Sequence, residues 1–209
     1  MFTDITVLLD RSGSMASVLN DTIHGFNYFT NQQKKLKGKA NLTLVQFDSV
    51  GIDTILDAVP IKHVPSLILI PRGNTPLLDA IGGTIERTKT RFLRKRGKQP
   101  DKVLFVIVTD GEENASRKFT KSDINKLIGE ASKELDWQFI YLGANQDAIK
   151  EGSTMGINYS YNYNPYNTGL LWATLSDSVV TYRSNASNII NVSDKAIKDL
   201  NSYSSVTSY

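Results

Sequence analysis

The sequence contains no cysteine. That absence removes disulfide frameworks, thiolate zinc sites, iron–sulfur clusters and cysteine nucleophiles, and it suits a reducing compartment. Histidine is scarce, with only His24 in a helical pattern and His63 in a proline-rich connection, so neither is placed as a general base. No apolar stretch approaches the roughly 18 residues needed to cross a bilayer. The start, Met1-Phe2-Thr3-Asp4-Ile5, lacks a basic segment before its apolar run, and Asp10 cuts that run short. It does not read as a signal peptide, and the expected location is the cytoplasm with no membrane contact. Net charge is +3, from 24 Lys plus Arg against 21 Asp plus Glu, too slight to name a partner. A Gly-x-Ser-x-Gly elbow and a Gly-rich lysine loop for phosphates are also missing, which weakens the enzyme readings.

What is present is 209 residues, 40% of them hydrophobic, enough to bury about 70% of the surface the unfolded chain exposes. Ile5 to Leu9 and Val103 to Val108 are short continuous apolar runs rich in β-branched residues, the pattern of buried parallel strands. Asn41 to Phe47 and Ile52 to Val59 form a strand pair around Asp48-Ser49, and Trp137 to Leu142 makes another strand. Helical spacing covers Val18 to Leu36 and a stripe from Leu77 to Phe92. A helix over Thr120 to Leu135 opens with a box-like start, and a last helix runs from about Thr168 to Arg183. The alternation predicts an α/β domain over residues 1–187: a doubly wound, Rossmann-like, mostly parallel sheet with one antiparallel edge strand and helices on both faces. A loosely ordered tail is expected over residues 188–209.

In such sheets ligands bind beyond the carboxyl ends of the strands, and two aspartates stand there. The first strand ends in Asp10-Arg11-Ser12-Gly13-Ser14, the connection before the second long helix carries Arg72-Gly73-Asn74-Thr75-Pro76, and the central strand ends in Thr109-Asp110-Gly111. Asp10, Ser12, Ser14, Thr75 and Asp110 bring two carboxylates and three hydroxyls to one rim. Such hard oxygens suit Mg²⁺ or Mn²⁺. Each piece also has an ordinary structural reading. Ser12 and Ser14 could cap a helix, Thr75-Pro76 is an N-cap followed by an N1 proline, and Asp110-Gly111 is a turn. Asp-x-Ser-x-Ser alone arises by chance in about one chain of this size in twenty. Three segments on one rim outweigh that.

Those three segments resemble the metal-ion-dependent adhesion site of von Willebrand factor type A domains, intact at all five ligand positions. The resemblance extends from about Thr3 to Arg183, including Phe139-Ile140-Tyr141-Leu142-Gly143-Ala144-Asn145, and is nearest to standalone members from bacteria and their phages. It implies a binding module without catalysis of its own. That module holds Mg²⁺, with Mn²⁺ or Ca²⁺ as substitutes, and a partner protein's carboxylate completes the metal shell. Glu112 and Glu113, just past Asp110, could tune the field, add an outer-shell contact or belong to the partner surface, or, the favoured reading, simply be solvated loop charges.

Two weaker patterns accompany the site. Lys34, Lys35, Lys37 and Lys39 close the first helix, and Arg87, Lys89, Arg91, Arg94, Lys95, Arg96 and Lys98 close the second, which places both clusters at the pole opposite the metal. Cations there complement helix dipoles; a scaffold that binds nucleic acid or an acidic protein through this pole is the alternative reading, although no nucleic-acid motif accompanies it. Tyr159, Tyr161 and Tyr163 alternate along an expected edge strand. Either they are its half-buried face, or Tyr163 and Tyr166 flank a docking surface. A metal-dependent phosphatase is the third reading, one that lacks a visible base.

Overall fold

The computed structural model describes residues 1–94, 98–144, 147–163 and 168–190. Nine consecutive buried residues, Phe2–Asp10, form β1, and eight more, Lys102–Thr109, form β4. Strands buried on both faces belong in the middle of a sheet, and the observed order is β3-β2-β1-β4-β5-β6. The remaining strands are β2 (Lys39–Asp48), β3 (Gly51–Pro60), β5 (Gln138–Gly143) and β6 (Tyr159–Asn162). Among the described residues only the β2–β3 pair is antiparallel. The expected doubly wound α/β class, with its single antiparallel edge strand, is what the chain adopts.

Helices α1 (Leu19–Lys35), α2 (Leu77–Arg94), α3 (Lys121–Leu135), α4 (Ala148–Thr154) and α5 (Thr168–Ser184) flank the sheet. Strand alternation divides the core. Ile5, Val7 and Leu9 with Leu104, Val106 and Val108 face α1 and α5, where Phe26, Phe29 and Trp172 pack. Leu8, Phe105 and Ile107 face α2 and α3, with Trp137 and Phe139 stacked on Phe105. The Thr120 capping box is present, with the Asp123 N–H donating to the Thr120 hydroxyl. Helix α4 was not expected. Its seven residues include Gly152, Ser153 and Thr154, weak helix formers, and it is held by the Asp147 cap and by Asn162 Oδ1, which accepts from the Ala148 N–H at 2.7 Å.

The proline-bearing connection between β3 and α2 is irregular but anchored. Val64, Leu67 and Leu69 are buried in the α1-side core, while the Leu67 N–H donates to Asn27 and the Gln46 amide to the Ile68 carbonyl. At the opposite pole, Lys102 Nζ donates to the carbonyls of Tyr182, Asn185 and Ser187 at 2.5, 2.7 and 2.6 Å, fastening the end of α5 to the central strand. Ile190 is buried in the same core, so packing extends three residues beyond the expected boundary at 187. The tail from 191 onward, like Lys95 and Arg96, lies outside the described residues.

Gly25 sits inside α1, where a glycine ordinarily weakens a helix relative to alanine. Here a β-carbon would fall 1.9 Å from the Trp172 ring, so the missing side chain is the space the indole fills. Gly25→Ala is expected to destabilise the protein by about 1–3 kcal/mol, the usual overpacking penalty, despite its better helix propensity. Urea denaturation checks this, and a stabilised variant would contradict the packing.

Candidate metal centre

β1, β4 and the connection into α2 deliver three loops to one rim. The first leaves β1 at Asp10, which is fully buried. Its Oδ1 accepts from the Ser12 N–H and its Oδ2 from the Thr109 hydroxyl, both at 2.6 Å. Ser12 Oγ lies 3.0 Å from Ser14 Oγ, and Ser14 Oγ donates to Asp110 Oδ1 at 2.6 Å. A β-carbon added at Gly111 would stand 3.5 Å from both Ser14 Oγ and Thr75 Oγ1. The five sequence-predicted side chains are therefore brought to one rim, with Gly111 beside Ser14 and Thr75.

Backbone hydrogen bonds fix the loops to one another. The Gly13 N–H donates to the Gly73 carbonyl at 3.0 Å and the Arg72 N–H to the Arg11 carbonyl at 2.8 Å. Gly73 has φ +66°, and a β-carbon there would strike Ser49 Oγ, so the turn carrying Thr75 requires glycine. Thr75 N–H donates to Asn114 Oδ1 at 2.9 Å. Glu113 accepts from the N–H groups of Leu78, Ala115 and Ser116, using its charge at the α2 N-terminus. Glu113 is thus a positioning residue with its oxygens turned inward, and the expectation of a solvated or partner-facing charge is corrected. Glu112 is exposed.

Behind the site lies a cluster that sequence reasoning missed. The Asp48 side chain is fully buried, and its Oδ2 accepts from Arg11 Nε and, at 2.9 Å, from Arg72 Nε. Its Oδ1 accepts from the Val50 and Gly51 N–H groups. Arg11 also reaches Asp53 at 2.5 Å. Burial would raise the Asp48 pKa, but the arginine and backbone hydrogen bonds outweigh it and hold the group below its ordinary value. Thr109 is a second residue the sequence did not single out. Its hydroxyl donates to Asp10 while accepting from the Gly111 N–H at 3.3 Å.

Tyr163 stands in a different place from the one proposed for a docking surface. It is buried, and its hydroxyl donates to the Thr109 carbonyl at 3.4 Å. Burial, and then the nearby Asp110 and Asp10, push its phenol pKa upward. The alternation of Tyr159, Tyr161 and Tyr163 follows the packed side of β6, so Tyr163 supports the site from below. Tyr166 lies outside the described residues.

Burial raises Asp10 from 3.8 to about 6, against its hydrogen bonds from Thr109 and Ser12; Asp110 adds a smaller upward push. Burial raises Asp110 as well, opposed by the Ser14 hydrogen bond. Two carboxylates in a dry rim favour protonation until a cation neutralises them. Among the described residues no three His, Cys, Asp or Glu side chains cluster, so the donor set is two carboxylates and three hydroxyls. Those residues fit a hard divalent cation, with Asp10 and Asp110 balancing its charge.

No family model and no curated protein matches the chain. Solved structures do. Proximal thread matrix protein 1 from the mussel byssus has a TM-score of 0.61 at 18% identity, over 85% of this chain and 48% of that one. A von Willebrand factor type A structure from Catenulispora acidiphila has a TM-score of 0.59 at 12% identity, over 85% and 42%. The vWF domain of the type V pili tip protein Mfa5 from Porphyromonas gingivalis has 0.56 at 10%, over 85% and 94%. The fold is that of a von Willebrand factor type A domain. This chain spans about half the length of the mussel protein, which is also known with a zinc-occupied MIDAS motif. Within the vWA fold, the converging oxygens occupy the carboxyl-end rim where the sheet reverses its winding between β1 and β4.

Two outcomes follow from this geometry. Asp48→Asn removes the charge that Arg11 and Arg72 share and is expected to destabilise the fold by about 3 kcal/mol, read as a lower urea midpoint with unchanged m-value. In EDTA, Asp10 binds its proton more tightly when folded than when unfolded. Its contribution is therefore fully present below about pH 4 and is lost as pH rises through about 6. The stability difference between the parent and Asp10→Asn should fall by roughly 2 kcal/mol across that window. A flat difference would contradict the buried setting of Asp10.

Proposed function

We propose that the chain is a protein-binding module that holds a divalent cation, Mg²⁺ by preference, and uses it to grip a carboxylate on a partner protein. The observation that carries the reading is the meeting of Asp10, Ser12, Ser14, Thr75 and Asp110 at one rim, with Ser14 linking Ser12 to Asp110 and Gly111 beside Ser14 and Thr75. A bound cation would supply a Lewis-acidic point left unsaturated by three neutral hydroxyls, and so would remain attractive to an incoming anion. The zinc-occupied motif of the mussel protein lends support to a divalent ion on this fold. Catalysis has less to recommend it. His24 and His63 are both exposed, in α1 and in the turn after β3, so neither serves the rim as a base.

The basic pole supports the alternative reading only weakly. Arg91 makes a two-point pair with the buried Asp4 at 2.7 and 3.0 Å, and Lys89 pairs with Glu130, so these cations serve the fold. Among the described residues no helix is long and apolar enough to cross a membrane. We propose a cytoplasmic setting on the strength of the cysteine-free composition.

Adding Mg²⁺ to EDTA-stripped protein tests the reading. At one hundred times the dissociation constant the linkage is worth about 2.7 kcal/mol, a rise in melting temperature of about 6 °C for a chain of this length. Asp10→Ala should abolish the rise. No response in the parent, or an undiminished one in the variant, would sink the proposal.

A further inference from the structure

A cavity of about 640 Å³ opens beside the converging oxygens, between the β2–β3 turn and the connection from β4 to α3. Its lining adjoins the metal centre through Asn74 and Pro76, the chain neighbours of Thr75, and through Asn114, whose N–H donates to the Thr75 carbonyl at 3.1 Å. Two acids line it, and both are occupied. Asp48 is clamped by Arg11 and Arg72. Asp79 accepts from the backbone N–H groups of Arg117, Lys118 and Phe119 at 2.9, 2.8 and 3.0 Å. The exposed Glu112 does not line the cavity.

What remains is cationic. Arg117 and Lys118 are exposed lining residues, and among the described residues neither forms a salt bridge. Lys118 also lines two further hollows, of about 350 and 430 Å³, but these are mixed in charge, with Glu86 in both and Asp123 and Glu130 in the second, so the cationic character is confined to the cavity beside the rim. The cavity beside the rim therefore presents two cations with no salt-bridge partner among the described residues, against Asp79, an ionised acid whose oxygens are taken up by backbone N–H groups. This is the charge pattern that complements an acidic chain.

We infer that the partner is an acidic segment held at two points, with one carboxylate at the cation and another further along the segment against Arg117 and Lys118. This deepens the metal-dependent reading and rests on it. The partner leaves the rim on the β2–β3 side. The buried Tyr163 marks the opposite side and offers no exposed ring. Rim charges of this kind act through modest, salt-dependent attraction, so the second contact should contribute about fivefold to tenfold in affinity.

The test uses the full chain, Mg²⁺ or EDTA, and two capped hexapeptides followed by NMR titration: hexa-aspartate, and a glycine peptide bearing one aspartate. Both peptides should bind in Mg²⁺ and lose binding in EDTA. Arg117→Ala with Lys118→Ala keeps the backbone donors to Asp79. It should weaken hexa-aspartate fivefold to tenfold, flatten its salt dependence and leave the single-aspartate peptide unchanged. Arg117→Lys with Lys118→Arg should restore tight binding. Unchanged hexa-aspartate affinity in the alanine variant overturns the two-point inference while leaving the metal reading intact. Failure of both peptides to respond to Mg²⁺ overturns the underlying reading, and the inference falls with it.

Discussion

The rim depends on one buried carboxylate. Asp48 lies at the end of β2, fully removed from water, and its two oxygens accept from two arginines and two backbone N–H groups. A lone ionised carboxylate in that position would be expelled by its desolvation penalty; it persists because each arginine supplies a charge-assisted hydrogen bond. Those arginines are the residues that follow Asp10 and precede Gly73. The interaction therefore ties the β1 loop, the α2-entry loop and the β2–β3 turn into one body. Ser12, Ser14 and Thr75 inherit their positions from it, since none of the three is on a strand or helix of its own strong propensity.

The metal centre shows the converse use of burial. Asp10 and Asp110 are also withdrawn from water, and among the described residues no salt bridge reaches Asp10. Hydroxyls from Thr109 and Ser14 stabilise them only in part, and burial still raises both pKa values. A protein that clamps Asp48 with two arginines while meeting Asp10 with the Thr109 hydroxyl and the Ser12 N–H sorts its carboxylates by role. Asp48 is neutralised from within, whereas burial leaves Asp10 with a raised pKa, a setting that a divalent ion would relieve.

Much of this was legible in the sequence. The continuous apolar runs of β1 and β4 announced buried central strands, and their terminal aspartates marked the rim. The five oxygen donors could be named because three short segments share one order and one spacing logic. The partners of those donors could not. Arg11 sits in the motif as an unremarkable x, Asp48 looked like the turn of a strand pair, and Thr109 like the last residue of a strand. Their roles arise from contacts 37 and 99 residues apart in sequence, which periodicity does not encode. Tyr163 misled for a related reason. Alternation identifies a shared side of a strand, but whether that side meets solvent or core depends on what packs there, and here it is the α1-side core.

Glu113 and Asp79 reveal how the rim and the groove are built from the same parts. Glu113 comes from the loop after β4 and caps α2, while Asp79 comes from α2 and caps the loop after β4. This reciprocal exchange occupies the oxygens of both acids with backbone N–H groups, and Arg117 and Lys118, whose backbones are donors to Asp79, have exposed side chains. The same exchange places Asn114 against Thr75. A displacement of this loop would therefore move a metal ligand and the cationic groove together. On the proposed reading, recognition of one carboxylate by the cation and of another beside Arg117 and Lys118 would fall to a single loop-and-helix unit, held in place by hydrogen bonds that belong to the fold.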